Sequence, residues 1–176
     1  AVKQDQKTFM AAIAERKIPL DFYSFHWYGN RIEKIIDTFR EGRRNLDRRG
    51  LTHIPTILDE WNYVRGWIGD DWLYSLRMEK SLKGASFIAA TMCECQREPV
   101  DMLMYYDARP CGMNGMFNTD FVCDRLKGYY PFKWYGSLYD MEAEVLCELN
   151  IPSQSLVGWC GVQTVWPPAL IERSEL

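Results

Sequence analysis

Three short runs of apolar and aromatic residues, each set between stretches of helical patterning, constrain this chain more than anything else in it. Residues 20–27 (LDFYSFHW), 56–61 (TILDEW) and 100–107 (VDMLMYYD) read as buried strands, each entered just after a proline. Residues 7–17, 31–46, 72–97 and 131–148 carry apolar side chains at helical spacing. In the second of these, Ile32, Ile35, Ile36 and Phe39 share a stripe opposite Arg, Glu and Lys. Such alternation predicts parallel βαβ units, and so an α/β fold with either a barrel or a doubly wound sheet. Both architectures collect their chemistry at the C-terminal ends of the strands. There the sequence places His26, Glu60, Tyr106 and Asp107. No GxGxxG or P-loop follows any strand, which counts against nucleotide binding.

Glu60 carries the sharpest expectation. Strict alternation sets Thr56, Leu58 and Glu60 on one face of the strand and Ile57 and Asp59 on the other. A strand-end carboxylate can attack or stabilise an oxocarbenium-like sugar centre. A salt-bridged surface Glu is the alternative, and the neighbours Trp61 and Asn62 favour the chemical reading. His26 and Tyr28 end the preceding run, where the imidazole could bond a sugar hydroxyl or hold Glu60 ionised. A core histidine is the competing assignment. His53 precedes its strand and so belongs to the opposite, structural end. Tyr105, Tyr106 and Asp107 suit a sugar subsite, although alternation keeps one of the two tyrosines out of it. Arg40, Arg43, Arg44, Arg48 and Arg49 read as a solvated helix face.

The net charge of −3 gives no reason to expect nucleic acid or an anionic membrane as partner. No run approaches the roughly 18 apolar residues of a membrane span. The cysteines (Cys93, Cys95, Cys111, Cys123, Cys147 and Cys160) are scattered, without a CxxC pair or a histidine at ligand spacing. The expectation is therefore no metal, no cofactor and free thiols, which favours a reducing, cytoplasmic setting. The chain opens inside a helical pattern, so a leader on a longer parent would not be visible. Residues 150–176 differ in character: PSQS breaks the helix, and residues 157–166 (VGWCGVQTVW) could form one strand. This tail is expected to be a truncated β-segment or a non-native end.

Taken together, these strings resemble clan A glycoside hydrolases, most closely family 39, the β-xylosidase and α-L-iduronidase family. PLDFYSFHWYG at residues 19–29 resembles the family's sixth barrel strand with its His-x-Tyr ending, and ILDEWN at 57–62 resembles the seventh, whose Glu is the nucleophile. MLMYYD at 102–107 resembles the eighth, and GMFN with KGYYPFKWY resembles the approach to the last helix. The resemblance implies that residues 1–149 form the C-terminal half of a (β/α)₈ barrel. It implies retaining hydrolysis of β-linked, xyloside-like glycosides with Glu60 as nucleophile and no cofactor. The substrate contacts it implies are His26, Tyr28, Trp61, Asn62, Tyr106 and Asp107. A second carboxyl about 5 Å away acts as acid and base in such enzymes. In this family it follows an Asn on the fourth strand, and this sequence contains no Asn-Glu pair.

The 176 residues fall short of the roughly 250 of a whole barrel. The chain alone is accordingly expected to be inactive. It is also expected to self-associate, because the barrel-facing Leu58, Met102 and Met104 lack an opposing layer. The competing reading is a non-catalytic carbohydrate-binding or interaction module on the same scaffold. A hydrolase or phosphatase on an open sheet is disfavoured by the lack of a GxSxG elbow.

Overall fold

The computed structural model describes residues 3–120 and 122–141, with two further short strands at 145–146 and 165–166. Helix α1 (Lys3–Arg16) leads into strand β1 (Tyr23–Gly29), helix α2 (Ile32–Asp47) and strand β2 (Thr56–Tyr63). Helices α3 (Gly69–Glu79) and α4 (Leu82–Cys95), strand β3 (Met102–Tyr105) and helix α5 (Tyr129–Tyr139) follow. The three strands pair in parallel in the order β1-β2-β3.

One face of this sheet is dry. The α2 stripe of Ile32, Ile35, Ile36, Phe39 and Leu46 is buried, and Phe39 meets Phe25 of β1 edge-on at 5.0 Å. Phe87 of α4 packs on Trp61 and Tyr63 of β2, and Phe132 of α5 on Tyr105 of β3. The other face is open: Met102 and Met104 are 48% and 44% exposed.

The register between β1 and β2 slips in the middle. Phe25 pairs with Leu58 but His26 pairs with Glu60, so Asp59 is an extra residue, a β-bulge. A one-residue slip exchanges the two faces of a strand. Before the bulge, Thr56 and Leu58 are buried on the helix side. After it, Trp61 and Tyr63 take the helix side and Glu60 joins His26 on the open side. Strict alternation therefore fails on two counts: Glu60 does not share a face with Leu58, and Leu58 faces the helices rather than the open side, fully buried.

Other boundaries also differ from the sequence reading. The stretch 72–97 is two helices, because the Ser81 hydroxyl caps α4 by accepting from the Lys83 N–H at 3.1 Å. A Cβ on Gly84 would lie 2.4 Å from the Glu79 carbonyl, so glycine lets α4 start directly against the end of α3. β1 begins at Tyr23, β3 spans only Met102–Tyr105, and α5 ends at Tyr139. Arg43 is not part of a solvated face: its guanidinium donates to the Ile54 and Leu51 carbonyls and pairs with Asp47, tying the turn into β2. Of the strand expected at residues 157–166, Val165–Trp166 is paired antiparallel with Val145–Leu146, and the remainder lies outside the described residues. Among the described residues no helix is long and apolar enough to cross a membrane.

Glu79, at the end of α3, is fully buried, and neither carboxylate oxygen has a hydrogen-bond partner. Burial pushes its carboxyl up to about 8, against a small opposing pull from Lys80. The folded state thus keeps this proton to about pH 8, while the unfolded chain releases it near the ordinary glutamate value. Stability should fall as pH rises through that window and level off above it. Glu79→Met, which removes the orphaned oxygens at similar volume, should raise stability at pH 9 by on the order of 2 kcal/mol. It should also flatten the slope between pH 5 and 8, as read by urea titrations across that range.

Candidate active site

The bulge brings three polar side chains together on the open face at the C-terminal ends of β1 and β2. The Tyr28 hydroxyl donates to Glu60 Oε2 at 2.7 Å. His26 Nδ1 lies 3.1 Å from the same oxygen. Glu60 Oε1 accepts no hydrogen bond from the described residues. One carboxylate oxygen is held and the other is left free. Burial, and then the bond to Glu60, push the Tyr28 phenol well above its ordinary value, so it remains a donor at any working pH. The imidazole, half exposed, also places Nε2 3.4 Å from Asp59 Oδ1.

Beside this group stands an aromatic wall. Tyr28 meets Trp67 edge-on at 5.2 Å and Tyr106 at 6.4 Å. Trp67, 56% exposed, is backed by Trp72, stacked at 5.4 Å with 22° between the planes. Trp67 and Trp72 were not singled out in the sequence, yet there was a signal. The segment 65–72 (RGWIGDDW), where the chain passes from β2 into α3, sets two indoles among Gly and Asp.

The remaining candidates sit around this centre in different ways. Tyr106 and Asp107 lie just beyond β3, in the following loop. Asp107 is buried, and its carboxylate accepts from the Arg109 backbone N–H and Nε, both at 2.8 Å. Arg109 Nη2 donates to the Tyr106 hydroxyl at 2.8 Å. Asp107 is therefore joined to Tyr106 through Arg109. Trp61 is on the wrong face to touch a ligand beside Glu60: it is fully buried against Phe87 and Tyr105. Asn62 is buried too. Its amide donates to the Tyr106 carbonyl (2.7 Å) and the Met113 carbonyl (2.9 Å), and its oxygen accepts from the Tyr63 N–H. Both were expected to contact substrate; Trp61 is spent on the core, and Asn62 on holding the end of β2 to the loop after β3. His53 is exposed in the turn before β2, at the other end of the sheet. Among the described residues no three His, Cys, Asp or Glu side chains gather as metal ligands, and Cys95, Cys111 and Cys123 are free thiols.

No family model matches the chain, and no curated protein sequence does. Solved structures match its fold. A glucosidase from Croceicoccus marinus superimposes with a TM-score of 0.60 at 20% identity, over 79% of this chain and 30% of that one. A GH39 β-xylosidase from Caulobacter crescentus gives 0.57 at 17% identity, over 75% and 30%. A monomeric β-xylosidase from Caulobacter crescentus CB15 gives 0.58 at 14% identity, over 82% and 33%. The chain thus shares the fold of part of these structures, a portion of a (β/α)₈ barrel. It spans about a third of the length of the structures it matches.

Asn62→Ala should test the tie described above. It orphans two carbonyls and the Tyr63 N–H at once, which should cost about 2–4 kcal/mol. The melting temperature, read by circular dichroism, should drop by roughly 5–10 °C.

Proposed function

We propose that this chain is the nucleophile-bearing part of a retaining glycosidase acting on β-linked, xyloside-like glycosides. The observation that carries the reading is the carboxylate of Glu60. It stands in the C-terminal half of β2 on the open face, with Oε2 held by Tyr28 and His26 and Oε1 accepting no bond from the described residues. Holding one oxygen leaves the other aimed for attack, so less orientational freedom is lost on the way to the transition state. In this reading Oε1 attacks the anomeric carbon and the aglycone leaves, giving a glycosyl ester on Glu60 that water later cleaves. The acid that protonates the leaving group comes from a carboxyl that these residues do not supply. Tyr106 serves a sugar hydroxyl, His26 stays on the carboxylate, and the Trp67 indole offers an apolar face to the ring. The competing reading, carbohydrate binding without chemistry, draws on the same aromatic wall.

A glycosyl fluoride separates the two, because fluoride leaves without being protonated. The purified chain, incubated with 2-deoxy-2-fluoro-β-D-xylosyl fluoride, should gain one fluoroxylosyl group on the peptide carrying Glu60, detected by mass spectrometry. Glu60→Gln should gain none. Labelling elsewhere, or no labelling of the unsubstituted chain, sinks the assignment. Turnover of an aryl β-xyloside by the same chain should fall at least about 10²-fold short of a complete enzyme, since acid catalysis alone contributes that much.

The chain is also proposed to associate with itself. Among the described residues β1 and β3 are sheet edges, and the methionine face has nothing over it. Sedimentation velocity at micromolar concentration should show dimers or larger species, and a stable monomer contradicts this.

A further inference from the structure

Asp59 has no part in the mechanism above, yet its position is unusual. It is the inserted residue of the bulge, and the bulge is what sets it and Glu60 against one imidazole. Its Oδ1 is buried without a hydrogen bond, and His26 Nε2 stands 3.4 Å away. The opposite ring nitrogen, Nδ1, stands 3.1 Å from Glu60 Oε2. We propose that Asp59 is a positioning residue, fixing the His26 ring so that Nδ1 is held on the nucleophile carboxylate. The proposal rests on the reading of Glu60 as nucleophile.

The physical case is rotational. An imidazole on its Cβ–Cγ bond has a broad, roughly two-fold torsional preference, and this ring is half exposed, so packing on one side leaves it free to turn. A turn of 180° carries Nδ1 away from Glu60. A carboxylate facing the far nitrogen makes one orientation better than the other, because the flipped ring would turn carbon atoms toward both carboxylates. The logic is that of an acid orienting a histidine that in turn serves a reacting group. Glu60 would otherwise rely on Tyr28 alone to hold Oε2. Asp59 itself touches neither the free oxygen nor the aromatic wall. A plain strand residue at a bulge would need no such alignment, and its loss would cost only stability.

The chain contains two histidines, His26 and His53, and they lie at opposite ends of the sheet. With ¹⁵N-labelled histidine, long-range ¹H–¹⁵N correlation therefore reads the His26 ring with His53 as an internal control. Asp59→Ala should displace the His26 ring-nitrogen signals and leave those of His53 in place. The isosteric Asp59→Asn should displace them less, and it carries the test if the alanine variant does not fold. Both variants should slow fluoroxylosyl labelling of Glu60, by about tenfold for alanine, the low end for removal of an outer-layer partner. Unmoved His26 signals overturn the proposal, as does an unchanged labelling rate in a variant whose signals move. Failure of the nucleophile assignment shows separately, as no labelling in the unsubstituted chain, and the histidine spectra then decide whether Asp59 orients the ring.

Discussion

A single inserted residue decides what the open face of this sheet presents. Up to Leu58 the side chains of β2 alternate as a half-buried strand should, with every second one against the helices. The extra residue at Asp59 reverses the phase, and from there Trp61 and Tyr63 fill the core while Glu60 is handed to the other side. Without that reversal Glu60 would stand on the helix side with Leu58, a charge on the apolar side of the sheet, at a cost in desolvation. The bulge thus serves two ends at once: it keeps a carboxylate out of the core, and it gives the core two aromatic rings.

Much of what surrounds the bulge exists to keep it in register. Asn62 clamps the strand end to the loop beyond β3 through two carbonyls, and Asp107 organises that loop by gripping Arg109. The Arg109 guanidinium in turn holds the Tyr106 hydroxyl. At the far end of the sheet, Arg43 secures the turn that feeds β2, and Thr56 accepts support from the loop before β3: its N–H donates to Asp101 at 2.7 Å and its hydroxyl to the Pro99 carbonyl at 2.6 Å. Side-chain bonds to main-chain groups of this sort are short and partly buried, and they hold geometry better than exposed ion pairs do.

The alternation of strands and helices was legible because it is written in periodicity, and the period survives any detail of packing. The strand ends, and with them Glu60, His26 and Tyr28, followed from it. The bulge was not legible. Nothing in TILDEW marks one residue as extra, since register is decided by what the neighbouring strands need and not by local preference. Trp61 and Asn62 stand apart from the Glu60 carboxylate for two other reasons: ordinary alternation turns Trp61 to the face opposite Glu60, and the Asn62 amide is committed to two main-chain carbonyls far off in sequence. The break at Ser81 hid behind good helix-forming residues on both sides, with only a capping hydroxyl and Gly84 to betray it. Arg109 could not have been chosen over its many fellow arginines, because its role comes from the buried carboxylate two residues before it.

The open face itself carries a lesson in its choice of residues. Met102 and Met104 are unbranched and rotate freely about three bonds, so they fit no single opposing shape and reject few. A layer laid over them can differ in size by a methylene here or there without a steric penalty. Selectivity for what covers this face must then come from elsewhere: the unpaired main-chain groups along the outer strands, which demand a partner in one register, and the polar cluster at the strand ends. Residues on the interior of such a face are thereby freed to vary, while the rim is not.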